Sequence, residues 1–311
     1  MRQYILYRVL YSSITLWLLT VIVFAVVRFT GDPALLMSDY PGVRPEDLAA
    51  LRAQWGLDEP YVVQYGRFLS NVVQGDLGTS FQFNMPVRDI YLKRLPNSLQ
   101  LGFAGFLISV SIGIPLGIMS AVRVNTWWDS VGKLIALLGL SIPGFFVALV
   151  LILLFGVSLG WLPVLGRGQN VWDVRFLIMP AFALGWYFAA SHMRLTRSSM
   201  LDVLGSEYIK LARLKGLPEA LVIAKHAFKN ALIPVITLAG INLVIMINVA
   251  VVVETVFAWP GIGRLLYEGI TFRDFPVVQG VVLLGGAMII VVNLAIDILY
   301  AVIDPRIRFE R

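Results

Sequence analysis

Few side chains in this sequence are suited to covalent chemistry. The 311 residues include no cysteine, which excludes thiol catalysis and disulfides, and the only histidines, His192 and His226, make a metal site improbable. No GxxxxGK[ST] phosphate-binding loop is present, because Gly132-Lys133 is followed by Leu134 and lacks the preceding glycine spacing. We therefore expect no catalytic residue, no cofactor and no metal in this chain. Any energy input must come from another chain or from an ion gradient.

Polar side chains inside long apolar segments are the remaining functional candidates. Such groups are costly in a bilayer and often mark a solute path. The candidates for a translocation path are Asn242, Asn248, Glu254, Asn293 and Asp297. The asparagines can equally tie helices together by hydrogen bonds. Asp297 can equally lie near the inner end of its segment, where it would be solvated or paired.

The composition places these residues in a polytopic all-α membrane protein. The chain is 58 % hydrophobic and 14 % charged, and its uncharged runs approach the ~20 residues that cross a bilayer. The six predicted spans are 9–27, 99–122, 134–161, 176–192, 231–253 and 280–303.

Glycines on related faces of the second span favour close helix packing: Gly102, Gly105, Gly113 and Gly117. The net charge of +6 reflects basic residues beside the spans and does not suggest nucleic acid.

Four regions follow from this pattern. Residues 1–28 form a cytoplasmic end and an uncleaved first helix, since the run of 19 uncharged residues exceeds the ~7–15 of a signal-peptide core. Residues 29–98 form a polar insertion on the outer side, and residues 99–303 form the membrane core. Residues 304–311 form a cytoplasmic tail. The third span is broken near Ser141-Ile142-Pro143-Gly144, as a functional hinge or as a packing kink.

A basic stretch between the fourth and fifth spans stands out from its apolar surroundings. Residues 194–230 contain seven basic and three acidic residues, which predicts a cytoplasmic location and places both termini in the cytoplasm. Ser206 is expected to cap a short helix, and Gly216 is expected to end it in the left-handed conformation. The face that we expect to meet a partner holds Tyr208, Leu211, Ala212 and Lys215. A second helix is expected from Pro218 to about Asn230, before the fifth span.

This stretch resembles the cytoplasmic coupling loop, or EAA loop, of ABC-importer permeases. The closer match is the branch that imports peptides, nickel or opines. The residues that carry it are Glu207, Tyr208, Ala212, Arg213, Lys215, Gly216, His226, Asn230, Ala231 and Pro234. The sequence departs from the general pattern at Lys210, where many families place a glutamate, and at Leu211, where the first alanine would fall. Further landmarks are Gly31-Asp32-Pro33, Trp259-Pro260-Gly261, the segment 273–280 and the tail Asp304-Pro305-Arg306-Ile307-Arg308.

The resemblance implies the importer-type permease fold, a set of partners and a location. A second homologous permease subunit would complete the pathway, and two cytoplasmic ABC ATPase subunits would bind ATP and Mg. An extracytoplasmic solute-binding protein would deliver substrate, peptide by default and nickel, opine, glutathione or sugar as alternatives. The chain would lie among membrane lipid in a bacterial or archaeal cytoplasmic membrane.

The resemblance also assigns roles to residues. The ATPase-coupling set is Glu207, Tyr208, Leu211, Ala212, Arg213, Lys215 and Gly216. The set that passes motion into the fifth span is His226, Asn230 and Pro234. The outer mouth is formed by Trp259, Pro260, Gly261 and Asp274, although an interfacial tryptophan beside a rigid Pro-Gly turn would look the same in sequence.

Three other interpretations remain open at this point. A secondary transporter driven by an ion gradient would carry charges in paired, broken helices, and Asp297 is the only clear case here. A membrane scaffold or receptor would need no ATPase. The basic loop alone could fix topology by binding anionic lipid, although this would not explain the helical spacing of Tyr208 and Leu211.

Overall fold

The computed structural model describes residues 2–29, 46, 49, 52, 53, 56–168 and 173–303. Side chains are described for these residues except 2–5, 248 and 295–303. The Gly31-Asp32-Pro33 landmark, the tail at 304–311 and the side chains of Asn248 and Asp297 therefore lie outside the described part.

The described chain is almost entirely helical, which confirms the all-α prediction. Its helices are α1 (Arg2–Phe29), α2 (Tyr61–Val73), α3 (Val87–Val122), α4 (Trp127–Ser141), α5 (Gly144–Leu151), α6 (Val174–Leu204), α7 (Glu207–Leu214), α8 (Glu219–Leu221), α9 (Lys229–Val249), α10 (Val251–Val256), α11 (Ile262–Thr271) and α12 (Phe275–Ile303). Two π-helical segments extend this set, Ile152–Ser158 after α5 and Val222–Phe228 between α8 and α9. Within the described residues, β pairing is limited to one isolated bridge between Thr79 and Pro86.

Five helical segments are long and apolar enough to cross a membrane. They are Leu6–Phe29, Val87–Val122, Val174–Leu204, Glu219–Ile247 and Phe275–Leu294. The bent pair Trp127–Ser141 and Gly144–Ser158 provides a sixth if it is one broken span. The described helices thus agree with the six predicted spans if this bent pair is one of them.

The break between α4 and α5 falls where the sequence predicted it. Ile142 is extended, with φ −88° and ψ 120°, and Pro143 follows with φ −60° and ψ 139°. Proline lacks an N–H and disfavours helical backbone at the preceding residue. The two halves consequently meet at 103°. Whether the corner moves during transport stays a prediction.

One helix is longer than the span it contains, and one predicted helix boundary was wrong. α3 begins at Val87, before the predicted start of the second span at 99, and its first turns are amphipathic. The helix that starts at Glu219 runs through the π-helical segment into α9. A separate second cytoplasmic helix, ending near Asn230, therefore does not exist.

The chain divides into two compact units. The first holds residues 1–94 and 265–311, and in it α1 packs along α12. The second holds residues 95–264, and its central helix α6 packs against α4, α5 and α9.

Glycines let α3 approach α6 closely in the second unit. A Cβ on Gly117 would lie 2.7 Å from the Met193 carbonyl oxygen, and one on Gly113 would overlap the backbone at Ala189. The predicted close packing through these two glycines is confirmed.

Candidate functional site

The short helix α7 is held against its own chain by one buried face. Ile209 is fully buried and Ala212 is 7 % exposed. They pack in a cluster with Ala121 from α3, Met200 from α6 and residues of the following helix, Val222, Ala227 and Ala231. The prediction that Ala212 faces a partner was therefore wrong, because its side chain packs against neighbouring helices of the same chain. An eight-residue helix is marginal alone, and this cluster supplies the packing it needs.

The opposite side of α7 exposes three large apolar side chains. Tyr208 is 43 % exposed, Leu211 is 54 % exposed and Leu214 is 84 % exposed. They follow each other at i, i+3 and i+6, a spacing that gives one helix stripe. We call Tyr208, Leu211 and Leu214 the apolar stripe. Leu214 was missed in the sequence, although its spacing from Leu211 could have indicated it. Exposed apolar patches rimmed by charge are typical of protein contacts.

Both ends of α7 are shaped by local chemistry. Ser206 occupies the N-cap position, but its hydroxyl donates to the Val203 carbonyl and does not cap α7. The predicted side-chain cap was therefore wrong. Gly216 has φ +74°, which confirms the left-handed end that the glycine predicted. Glu207 and Lys210 form an exposed ion pair of 2.7 Å on the rim of the stripe.

A bidentate ion pair connects α7 to the helix that follows. The Arg213 guanidinium donates to Glu219 Oε2 at 3.1 Å and to Oε1 at 2.7 Å. The hydrogen bonding that Arg213 donates to the Glu219 carboxylate is the main cause that raises the pKa of Arg213. The exposed Lys215 and Gly216 lie in the turn that this pair spans.

The helix beyond the turn carries the predicted transmission residues. His226 lies in the π-helical segment Val222–Phe228, a feature that often occurs at functional sites. Asn230 Nδ2 donates to the His226 carbonyl oxygen at 2.8 Å. Pro234 lies inside α9 and lacks the N–H that would bond to the Asn230 carbonyl. The helix therefore has irregular backbone hydrogen bonding between α7 and the membrane. That it transmits motion from α7 to the fifth span stays a prediction.

A buried charge cluster that the sequence did not reveal joins α4 to α6. Asp129 is fully buried, and its carboxylate accepts from Arg197 Nε at 2.8 Å and from the Ser120 hydroxyl at 2.6 Å. Lys133 Nζ lies 2.8 Å from the same carboxylate. Sequence reasoning treated Arg197 only as a topology marker, because its partner lies 68 residues away.

The predicted path residues whose side chains are described differ in burial and in contacts. Asn242 is 5 % exposed, and its Nδ2 lies 3.2 Å from His192 Nε2, so it links α9 to α6. Asn293 is exposed on α12. Glu254 is fully buried and does not line a path in this conformation. A contribution of Asn242 or Asn293 to the path stays a prediction.

Glu254 instead organises the loop between α10 and α11. Its Oε1 accepts from the Ser98 hydroxyl at 2.6 Å, and its Oε2 accepts from the Arg264 backbone N–H at 3.0 Å. Ser98 also accepts from the Ile262 N–H at 2.8 Å. Gly261 is packed so closely on the carboxyl group that a Cβ would overlap it.

Trp259 and Pro260 belong to the same buried arrangement. Trp259 is 1 % exposed, and its ring N–H donates to the Asn97 carbonyl oxygen at 2.9 Å. Asn97 Nδ2 donates back to the Pro260 carbonyl oxygen at 2.7 Å. The interpretation of Trp259 as an interfacial side chain was wrong, since it fills the core of this loop.

Asp274 has a separate structural position in the first unit. It is 1 % exposed, and its Oδ2 accepts from the Ser80 hydroxyl at 2.6 Å. Its other oxygen accepts from the Val277 N–H at 3.4 Å, at the start of α12. Asp274 thus caps α12 and fixes the chain near the Thr79–Pro86 bridge.

Comparison with known proteins extends over the whole chain. Residues 113–309 match the family model for the binding-protein-dependent transport system inner membrane component, and residues 1–102 match the N-terminal model of such membrane components. A peptide transport system permease protein of Brucella abortus (strain 2308) is 39 % identical over 315 residues, covering 100 % of both chains. The glutathione transport system permease protein GsiC of Salmonella paratyphi A is 40 % identical over 311 residues, again covering 100 % of both.

Solved structures with the same fold are known. A chain of the MetNI methionine ABC transporter in an inward-facing conformation aligns with a TM-score of 0.56 at 16 % identity, covering 69 % of this chain and 96 % of that one. A chain of an amino acid ABC transporter aligns with a TM-score of 0.52 at 15 % identity, covering 67 % and 92 %. These confirm the importer-type permease fold. The chain belongs to the binding-protein-dependent transport system inner membrane components and is a multi-pass permease subunit of an ABC importer.

Proposed function

We propose that this permease subunit imports di- or oligopeptides or a related small solute such as glutathione. We also propose that α7 contacts a cytoplasmic ATPase subunit and transmits its conformational change to the permease. The relatives named for peptide and for glutathione transport support the substrate class. A second, homologous permease subunit completes the pathway. Two ATPase subunits bind ATP and Mg, and a solute-binding protein delivers the substrate. Both termini of the chain lie in the cytoplasm.

The apolar stripe of α7 is the observation that carries the ATPase assignment. Tyr208, Leu211 and Leu214 are exposed on a helix whose other face is fixed by Ile209 and Ala212. A helix held in this way presents a rigid apolar face, which suits a helix-in-groove contact. The charge balance of residues 194–230 supports a cytoplasmic location for this face.

The path from α7 into the membrane follows the contacts of the second unit. Arg213 is bonded to Glu219 at the start of the helix that continues into α9. Asn242 on α9 in turn meets His192 on α6. A displacement of α7 would therefore move both α9 and α6. ATP binding shifts the permease between its states only if the ATPase contact differs between them.

The test is transport by the assembled importer in vesicles. Leu211→Asp places an unpaired carboxylate in the apolar contact, so we expect peptide uptake to fall by roughly tenfold or more. The matched control is Val124→Asp, because Val124 is an exposed side chain, 39 % exposed, in the loop between α3 and α4. Membrane insertion should be normal in both variants. Full ATP-driven uptake by Leu211→Asp would contradict the proposal.

Substrate class is tested separately through the cognate binding protein. We expect calorimetric titration to show binding of di- or oligopeptides or glutathione. Binding of nickel or an opine alone would refute the peptide assignment and leave the role of α7 intact.

A further inference from the structure

An apolar cleft of about 540 Å³ lies in the first unit, between α1, α2, the first turns of α3 and α12. Its apolar lining includes Leu16 and Trp17 of α1 and Leu283 and Ala287 of α12. Leu16 is 39 % exposed and Trp17 is 53 % exposed. The cleft is therefore bounded by two apolar helices that are long enough to span the membrane.

The size and lining of the cleft indicate an apolar occupant. Ligand sites in proteins typically have volumes of about 300–1,000 Å³ and are lined mainly by apolar groups with a few polar ones. The cleft is open and its lining is mainly apolar, so its contact with water is unfavourable. Ordered water would also find few polar partners there. An alkyl chain covers such a surface and needs no polar partner.

Two polar side chains of α3, Arg88 and Tyr91, contribute to the lining of the cleft. Tyr91 is 3 % exposed, and its hydroxyl has no hydrogen-bond partner among the described residues. Buried tyrosine hydroxyls usually find a partner. Arg88 is exposed and stands three residues earlier, so the two side chains are neighbours on one helix face. A hydroxyl donor beside a guanidinium is complementary to a phosphate group.

We propose that this cleft is a specific phospholipid site, with one acyl chain along its apolar lining and the phosphate held by Arg88 and Tyr91. The Tyr91 hydroxyl then donates to a phosphate oxygen, and the Arg88 guanidinium supplies the charge. In the topology given above, the lipid belongs to the outer leaflet. The bound acyl chain packs against apolar side chains of α1 and α12, next to Leu283.

The test uses the assembled importer in phosphatidylglycerol vesicles that contain a trace of phosphatidylglycerol with a photoactivatable acyl chain. After illumination, peptide mapping should place adducts at Leu16, Trp17 and Leu283. Ala287→Trp fills the cleft and should abolish these adducts. The matched control is Val291→Trp, because Val291 is a 63 % exposed side chain one turn further along α12. This control should leave the cleft adducts unchanged.

The headgroup contact is tested with a second probe. A photoactivatable diacylglycerol lacks the phosphate and should label the cleft roughly tenfold less, the effect of losing one charge-assisted hydrogen bond. Arg88→Gln should remove the difference between the two probes. Equal cleft labelling in Ala287→Trp and Val291→Trp would overturn the proposal. So would adducts that form on the isolated chain and disappear in the assembled importer, since the second permease subunit would then occupy the cleft.

Discussion

Arg213 and Glu219 are joined by two hydrogen bonds, of 3.1 and 2.7 Å, across the left-handed turn at Gly216. Arg213 belongs to the helix that we propose as the ATPase contact, and Glu219 begins the helix that continues into α9. Since both side chains are about half exposed, the pair contributes little to overall stability. Its two hydrogen bonds link α7 to the next helix across the turn.

Reversing this pair should uncouple transport without unfolding the chain. Arg213→Glu alone and Glu219→Arg alone should each lower the amount of peptide imported per ATP hydrolysed, by several-fold. The double variant restores opposite charges and should recover most of the loss. The ratio is measured from uptake and phosphate release in the same vesicles. The control is reversal of the exposed ion pair between Arg67 and Glu59, which lies outside the cytoplasmic stretch and does not touch the turn at Gly216. A double variant no better than either single one would contradict this role.

Gly261 should tolerate no side chain. A Cβ at this position would overlap the Glu254 carboxyl group, which itself is fully buried. Gly261→Ala is therefore expected to destabilise the chain by about 1–3 kcal/mol, the usual cost of overpacking a core. Thermal unfolding in detergent measures the effect.

Gly285 is the matched control for that substitution. A Cβ on Gly285 meets no atom within 4 Å, and it lies within α12. Gly285→Ala should leave stability unchanged or raise it by about 0.5–1 kcal/mol, the helix propensity difference. Equal destabilisation by the two alanines would show that the Glu254 contact is not the cause.

Asp129 should be the most sensitive charge in the second unit. Its carboxylate is fully buried and bonded to Arg197, which is 22 % exposed. Asp129→Asn leaves Arg197 without its countercharge, and breaking a buried pair costs about 3–5 kcal/mol. Lys133→Ala removes the more exposed partner, 53 % exposed, and should cost no more than about 1 kcal/mol. Unfolding midpoints of the two variants test the difference, and similar losses would contradict the assignment.

Features set by local backbone chemistry were predictable from the sequence. Gly216 adopts the left-handed conformation because no other residue type enters it so easily. The corner at Pro143 follows from the missing N–H and the restricted residue before it. The apolar spans follow equally from the thickness of the bilayer.

Features set by long-range packing were not predictable. Ala212 and Leu211 are adjacent in sequence, and only the position of Met200 and Ala121 decides which of them is buried. The sequence does not show whether Trp259 is interfacial or internal, because its hydrogen-bond partner, the Asn97 carbonyl, is distant in the sequence. The Asp129–Arg197 pair joins residues 68 positions apart, and no sequence spacing relates them. The length of the helix from Glu219 was hidden because polar residues, Lys225, His226, Lys229 and Asn230, interrupt the apolar run before the fifth span.

The most direct test of the account is a cross-link from the apolar stripe to the ATPase. The chain has no cysteine, so Leu214→Cys introduces a single reactive thiol at a side chain that is 84 % exposed. The control is Leu165→Cys, because Leu165 is 57 % exposed in the segment before α6, at the other end of that helix from α7. With a short thiol–amine cross-linker and the assembled importer, the account predicts an adduct between Leu214→Cys and an ATPase subunit and none from Leu165→Cys. No adduct from Leu214→Cys in any nucleotide state, or equal adducts from both positions, would contradict it.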